Sequence, residues 1–174
     1  SGDEELVASS KEVYLRAAKA SGWSIAWLGA GKAAFRCGER VEAEAGLNEA
    51  NVRDNHNAEV WAWLSLLCMT EEPVPRELEG AQALDQALKL SLDIPSNTDV
   101  LVELSAAFSA AGKPQVSETI LRRVVSAAGD AQSHILLGEA LAAQAKHDAA
   151  VDAFKTVLAD AEDGDAMRSA LAGA

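Results

Sequence analysis

The spacing G-x-G-x-x-A occurs at Gly29, Gly31 and Ala34, within the stretch SIAWLGAGKAAFRCG. In a dinucleotide-binding fold this motif follows a strand and opens a helix, and its glycines let the backbone approach a pyrophosphate. Residues 24–28 could form such a strand, and Glu49 lies about twenty residues further on, where a ribose-binding acid would be expected. The alternative is a helix whose small side chains let a neighbouring helix approach closely.

A phosphate-binding P-loop around Lys32 is excluded by two positions. The glycine that the motif requires five residues before Gly31 is replaced by Ala26, and Ala33 rather than a serine or threonine follows the lysine. Without that hydroxyl the loop lacks its magnesium ligand.

Metal and catalytic chemistry find little support in the sequence. His56, His134 and His147 are far apart along the chain, and neither Cys37 nor Cys68 lies at metal-ligand spacing from another ligand. Both cysteines fall within apolar helical patterns, which favours packing over a nucleophilic role. We therefore expect no metal, no cofactor and no catalytic residues. An enzyme that uses acidic residues in a deep pocket is the alternative.

The composition also bears on partners and location. The chain carries 27 acidic and 15 basic residues, a formal charge of -12, which disfavours binding to nucleic acid or to an anionic membrane surface. Its longest apolar run, residues 61–69, is too short to cross a bilayer. The two cysteines form no disulfide framework and no signal peptide opens the chain, so we expect a reducing, cytoplasmic location.

An internal repeat with a period near 34 residues organises the chain. Trp61 follows Trp27, and Ser65 follows Gly31, by 34 residues. Each repeat has a large and a small residue in one predicted helix and a small, a large and an apolar residue in the next. The sets are Trp27, Gly31, Ala43, Leu47 and Ala50; Trp61, Ser65, Gly80, Leu84 and Ala87; Leu101, Ser105, Ser117, Leu121 and Val124; and His134, Gly138, Ala150, Phe154 and Val157.

Turn and cap residues give the boundaries of these helices. Gly38, Gly112 and Gly129 lie where helices are predicted to end, and Ser24, Thr98 and Ser117 are plausible N-caps. Pro73 and Pro75 lengthen the turn inside the second repeat. No stretch alternates apolar and polar residues long enough to predict a strand. We expect one domain, with a half repeat at 6–23, repeats at 24–57, 58–97, 98–130 and 131–164, and a closing helix at 165–174.

These two-helix units resemble the tetratricopeptide repeat. The resemblance covers about residues 6–171, and it departs from the family pattern at Ala30, Ala34 and His134, where the family has larger or aromatic residues. It implies an all-α solenoid in which antiparallel helix pairs stack into a superhelix. Because Gly31 corresponds to Ser65, Ser105 and Gly138 within predicted helices, the repeat also favours helix packing over nucleotide binding for the opening motif.

The run AEAGLNEANVRDNHNAEVWAWLSLLC is similar to the carboxy-terminal tetratricopeptide region of an axonemal family of cilia- and flagella-associated proteins, most closely over residues 24–68. This resemblance implies a location on the axoneme of motile cilia or flagella, near the outer dynein arms, and axonemal or dynein-arm components as partners.

The tetratricopeptide resemblance also implies that the first helix of each repeat lines a concave groove. By position, the groove residues are Leu28, Lys32, Phe35, Arg36, Ala62, Trp63, Leu66, Met69, Asp99, Val102, Ala106, Ser109, Ile135, Glu139 and Ala142. The lysine, arginine and asparagine set that clamps a partner's terminal carboxylate in some members is missing, so an amphipathic helix is the expected guest, with Trp63, Leu66 and Met69 as anchors. The same residues could instead pack against a neighbouring repeat or the chain's own end.

The repeat pattern therefore predicts a protein-interaction scaffold. The resemblance to the axonemal family implies its specific form, a component of the ciliary axoneme that is associated with outer dynein arms and regulates ciliary motility. The alternative is a structural spacer or a self-association module within a larger cytosolic protein.

Overall fold

The computed structural model describes the backbone of residues 2–127 and 129–172 and the side chains of residues 6–127 and 129–159. Within that part of the chain all regular structure is helical, which confirms the predicted all-α class. The helices are α1 (Gly2–Ser21), α2 (Ser24–Arg36), α3 (Arg40–Arg53), α4 (Ala58–Met69), α5 (Glu77–Lys89), α6 (Thr98–Ala110), α7 (Pro114–Ala127), α8 (Ala131–Ala142) and α9 (His147–Ala172), with a short 3-10 helix at Pro95–Asn97. Two compact units, Ser1–Asp93 and Ile94–Ala174, make up the chain.

In the first unit, each of the five helices packs against the next one in chain order, and α2 also contacts α4. The closest approach of α2 and α3 is at Gly31 and Gly46, where a Cβ atom on Gly31 would lie 2.9 Å from the backbone nitrogen of Leu47. Residues 24–28 belong to α2. The G-x-G-x-x-A motif is therefore a site of helix packing. Residues 24–28 form helix rather than the strand that nucleotide binding requires, and α3 occupies the space beside Gly31.

In the second unit, α6 packs against α7, α7 against α8, and α8 against α9. The core of this unit is apolar and contains side chains at the predicted repeat positions. Its largest fully buried side chains are Val100, Leu101, Leu104, Phe108, Ile120, Leu121, Val124 and Leu141. Residues 165–172, where a separate closing helix was expected, continue α9 without interruption; residues 173 and 174 lie outside the described part.

The predicted helix ends are confirmed at Gly38 and Gly112, which adopt positive φ angles of 76° and 72° that favour glycine. The predicted N-caps are wrong. Ser24 and Thr98 are the first residues of their helices rather than caps, and Ser117 is buried inside α7. A serine before an apolar pattern can equally donate its hydroxyl elsewhere: the Oγ of Ser24 donates to the carbonyl oxygen of Ala50 at 3.0 Å.

Among the described residues, the side chains of Asn57 and Asp130 each cap the start of a helix. The Oδ1 of Asn57 accepts from the backbone N–H groups of Glu59 and Val60 at the start of α4. The Oδ1 of Asp130 accepts from the N–H of Ser133 at 2.6 Å. Hydrogen bonds from the side chain and then the backbone of Ser133 lower the pKa of the Asp130 carboxyl.

Candidate functional site

The candidate site in the first unit is a group of charged and aromatic side chains between α2 and α4. Lys32, Phe35 and Arg36 project from one face of α2, since helical positions three and four apart are neighbours. They meet Trp63 of α4. The Lys32 Nζ lies 5.3 Å and the Arg36 Cζ 5.1 Å from the centroid of the Trp63 ring, and the Phe35 ring meets it edge-on with centroids 5.7 Å apart.

Glu59 completes this group, which we call the Lys32–Trp63 cluster. The Lys32 Nζ donates to the Glu59 Oε1 at 2.6 Å, so the carboxylate holds the ammonium beside the ring. A cation within about 6 Å of a tryptophan ring is attracted by its electron-rich face, by about 0.5–1 kcal/mol at exposed sites. The cluster is therefore a preorganised surface, with its cations positioned before any partner arrives.

Trp63 lies beneath the other members of the cluster. Its side chain is only 4% exposed, while Lys32 and Phe35 are half-buried and Arg36 is exposed. The Trp63 Nε1 is buried and has no hydrogen-bond partner among the described residues. Buried indole N–H groups usually find a partner, so this unpaired donor is unusual.

Four other predicted groove residues of this unit lie inside the helix packing. Leu28 and Met69 are each 3% exposed, and Ala62 and Leu66 are 0% exposed. Met69 contacts α5: a Cβ on Gly80 would lie 2.7 Å from its Cγ. Of the predicted groove residues in this unit, Lys32, Phe35 and Arg36 are therefore the ones that keep exposed surface.

The sequence analysis missed Glu59. It lies four residues before Trp63, so both fall on the same face of α4, and its charge is opposite to that of Lys32. Helical spacing and charge sign together could have identified it.

In the second unit, the predicted groove residues are spread out. Val102 of α6 and Ile135 of α8 are half-buried, and Glu139 of α8 is exposed. Glu139 borders a cavity of about 340 Å³ between α6, α7 and α8, but Val102 and Ile135 are not among its lining residues. Ser105, Ala106 and Ser109 form the α6 side of this cavity. Their small side chains leave room for a side chain from a partner.

The described residues hold no group of three or more histidine, cysteine or acidic side chains that could bind a metal ion. No helix among them is long and apolar enough to cross a bilayer. Burial raises the pKa of the Cys68 thiol, which disfavours the nucleophilic thiolate. The arrangement is suited to binding through apolar and charged contacts.

Comparison with known proteins gives a family match over nearly the whole chain. The model of the cilia and flagella-associated protein 70 C-terminal domain matches residues 3–172. Two relatives named cilia- and flagella-associated protein 70, from Macaca fascicularis and Homo sapiens, are each 43% identical over 90 residues. The alignments cover 52% of this chain but only 9% and 8% of those proteins. The matched stretch is thus a small part of the relatives' length.

Solved structures of similar fold include one that is described as a tetratricopeptide protein. MamA superimposes with a TM-score of 0.68 at 20% identity, covering 89% of this chain and 88% of MamA. YrrB, described as a TPR protein with an unusual peptide-binding site, gives a TM-score of 0.67 at 19% identity, covering 84% of this chain and 74% of YrrB. At these identities the similarity shows the fold, and it confirms the predicted all-α solenoid of tetratricopeptide type.

Proposed function

The chain belongs to the family of the cilia and flagella-associated protein 70 C-terminal domain, and from this premise we propose that it is a protein-interaction domain of the ciliary and flagellar axoneme. Its partners are axonemal proteins, and more specifically components of the outer dynein arm. Binding to these partners regulates ciliary motility. The Lys32–Trp63 cluster is the observation that carries the proposal.

The cluster has the features of a binding hot spot. Hot spots are enriched in tryptophan and arginine, which supply large contact area and directed charge. Phe35 offers an apolar edge to the partner, and the cations of Lys32 and Arg36 flank it above Trp63. An amphipathic helix fits this surface, because its apolar stripe covers Phe35 while its polar flanks meet the charged side chains.

The fold supports the same proposal. Tetratricopeptide units stack helix pairs and leave the first helices of neighbouring pairs side by side, and α2 and α4 are such helices. YrrB shares the fold and is described as having a peptide-binding site. The acidic charge of the whole chain, -12, would steer basic partner segments towards the domain and repel acidic ones.

A quantitative pulldown from axonemal extract tests this function. We expect the double variant Phe35→Ala, Arg36→Ala to recover about tenfold less of the specific axonemal partners than wild type, because truncating a hot spot costs a large part of the binding free energy. The matched control is Lys19→Ala with Val41→Ala, which also removes one cation and one exposed apolar side chain but lies outside the cluster.

The control variant should recover the same partners as wild type, by quantitative mass spectrometry. If the cluster variant and the control variant recover identical amounts of every axonemal protein, the assignment of binding to this cluster is wrong.

A further inference from the structure

The first unit has a cavity on the side of α4 that faces away from the Lys32–Trp63 cluster. It encloses about 450 Å³ between α3 and α5, with α4 as its floor, and we call it the α3–α5 cleft. Its floor residues Trp61, Leu64 and Cys68 lie on the face of α4 opposite to Glu59 and Trp63, since each helical residue turns about 100°. The volume is in the range of about 300–1,000 Å³ that is typical of ligand sites.

The walls of the cleft are two rows of amide side chains. Asn48 and Asn51 come from α3, and Gln82 and Gln86 come from α5. Asn48 and Gln82 are exposed at the rim, whereas Asn51 and Gln86 are half-buried deeper in the cleft. The Oδ1 of Asn51 is fully buried and has no hydrogen-bond partner in the described part of the chain. Burying an acceptor without a partner is costly, so a hydrogen-bond donor delivered to this amide would be favoured.

The floor between these walls is apolar. Leu64, Leu67 and Cys68 are 9%, 2% and 7% exposed, and all three line the cleft. A ligand that reaches this floor must therefore bring an apolar group between two rows of hydrogen-bonding groups.

One end of the cleft carries excess negative charge. The Arg76 guanidinium donates to the Glu44 Oε1 at 3.0 Å and to the Glu79 Oε2 at 3.1 Å, and it also bonds to Glu71. The hydrogen bond to Glu71, and after it the bond to Glu44, raise the pKa of Arg76. Three carboxylates share one guanidinium, which leaves two uncompensated negative charges there. Glu44 and Glu79 line the cleft itself, so a cationic group is favoured at this end.

The dimensions match an extended peptide. Glu44 to Asn51 spans seven helical residues, or about 10 Å, which is the length of about three residues of extended chain. Each residue of such a chain presents one N–H donor and one C=O acceptor, and each asparagine or glutamine amide offers both. Amides on both walls can therefore bond to both edges of a peptide backbone, while its alternate side chains point to the apolar floor.

We propose that the α3–α5 cleft binds a short extended peptide segment that carries a lysine or arginine. The main chain of the peptide bonds to Asn48, Asn51, Gln82 and Gln86, an apolar side chain contacts Leu64 and Leu67, and the cationic side chain lies at Glu44 and Glu79. This site goes beyond the proposed function, because it is separate from the Lys32–Trp63 cluster and lets the domain hold a second partner.

The test begins with a phage-displayed library of random heptapeptides, selected on the immobilised 174-residue protein. Enriched peptides are synthesised with a fluorescein label, and their affinities are measured by fluorescence anisotropy. We expect enriched sequences to carry a lysine or arginine, and we expect the double variant Asn51→Leu, Gln86→Leu to bind them about tenfold more weakly, because both inner amides are lost. N-methylation of the central peptide bonds should weaken binding similarly.

The matched control is Gln115→Leu with Gln132→Leu, which replaces two exposed amides of the second unit and should leave the affinity within about twofold. Circular dichroism melting verifies that both double variants are folded. The proposal is overturned if no peptide is enriched, if the enriched peptides are acidic, or if Asn51→Leu, Gln86→Leu binds them as wild type does.

The cluster variant Phe35→Ala, Arg36→Ala separates this proposal from the proposed function. It should keep the affinity for the selected peptides, even though it loses axonemal partners. Some selected peptides could lose affinity for this variant but keep it for Asn51→Leu, Gln86→Leu. Such peptides bind the Lys32–Trp63 cluster, and that outcome also overturns the cleft assignment.

Discussion

At the residue scale, the two glycines of the G-x-G motif have different neighbours. A Cβ on Gly31 would meet the backbone of α3, 2.9 Å from the nitrogen of Leu47. The nearest atoms to a Cβ on Gly29 would be those of the Tyr14 ring, whose side chain is 45% exposed and can turn away. The same substitution therefore has different consequences two residues apart.

We expect Gly31→Ala to lower the free energy of unfolding by about 1–3 kcal/mol, because α2 and α3 must separate to admit the methyl group. Gly29→Ala is the matched control. It should change stability by less than about 1 kcal/mol, since the gain in helix propensity offsets the displacement of Tyr14. Urea unfolding followed by circular dichroism measures both. Equal effects at the two positions would contradict the helix-packing role of Gly31.

The packing role of the small residues could be predicted because these residues recur in the repeat. A second close contact between helices is at Ser65 of α4 and Gly80 of α5, where the Ser65 Oγ donates to the Gly80 carbonyl oxygen at 2.7 Å. Individual hydrogen bonds were not predictable. Ser24 was expected to cap a helix, but its hydroxyl has a partner in α3, which is distant in sequence. A local pattern carries no information about such a partner.

At the element scale, Glu118 links α7 to the turn between α8 and α9. Its carboxylate accepts from the Lys146 Nζ at 2.6 Å, from the Arg122 Nε at 2.9 Å and from the Gln144 Nε2 at 2.9 Å. The residue is buried, with 8% of its surface exposed. These donors, Lys146 foremost, lower the pKa of Glu118 to about 2 from an ordinary value of 4.5.

Because the pKa of Glu118 is lower in the folded chain than in the unfolded one, its contribution to stability is complete above pH 4.5 and is lost as the pH falls from 4.5 towards about 2. We expect Glu118→Gln to lower the free energy of unfolding by about 1.5–3 kcal/mol at pH 7, since hydrogen bonds to a charged group are lost. The difference from wild type should shrink as the pH approaches 2.

Denaturant unfolding at a series of pH values from 7 to about 2 measures this difference. Asp85→Asn is the control, because the Asp85–Lys89 ion pair is exposed on both sides and should contribute at most about 0.5 kcal/mol. A Glu118→Gln deficit that stays constant across the whole pH series would contradict the role of the carboxylate charge.

Helix α4 shows why sequence periodicity could not separate groove residues from core residues. Apart from Trp61, every residue from Val60 to Met69 is buried. A first helix of this fold packs against its own second helix and against neighbouring helices, so most of its circumference is enclosed. Leu66 and Met69 therefore satisfied the spacing of a groove face while lying in the helix packing.

At the scale of the whole molecule, the fold class could be predicted because the 34-residue spacing constrains many positions together. The proposed binding surfaces could be predicted only in part. Lys32, Phe35 and Arg36 share one face of α2 and Trp63 lies in the first helix of the next repeat, whereas the α3–α5 cleft is formed between two helices that are far apart in sequence. Net charge gave the expectation of basic partners, yet the Lys32–Trp63 cluster is a local exception that carries two cations.

Site-specific photo-crosslinking in intact cilia or flagella tests the central claim most directly. Full-length protein that carries benzoylphenylalanine in place of Phe35 should crosslink to an outer dynein arm component after irradiation. The same group in place of Val41, which is 78% exposed outside the cluster, should not crosslink to it. Two results would contradict binding at the Lys32–Trp63 cluster. One is that position 35 crosslinks to no axonemal protein, and the other is that both positions crosslink to the same set of proteins.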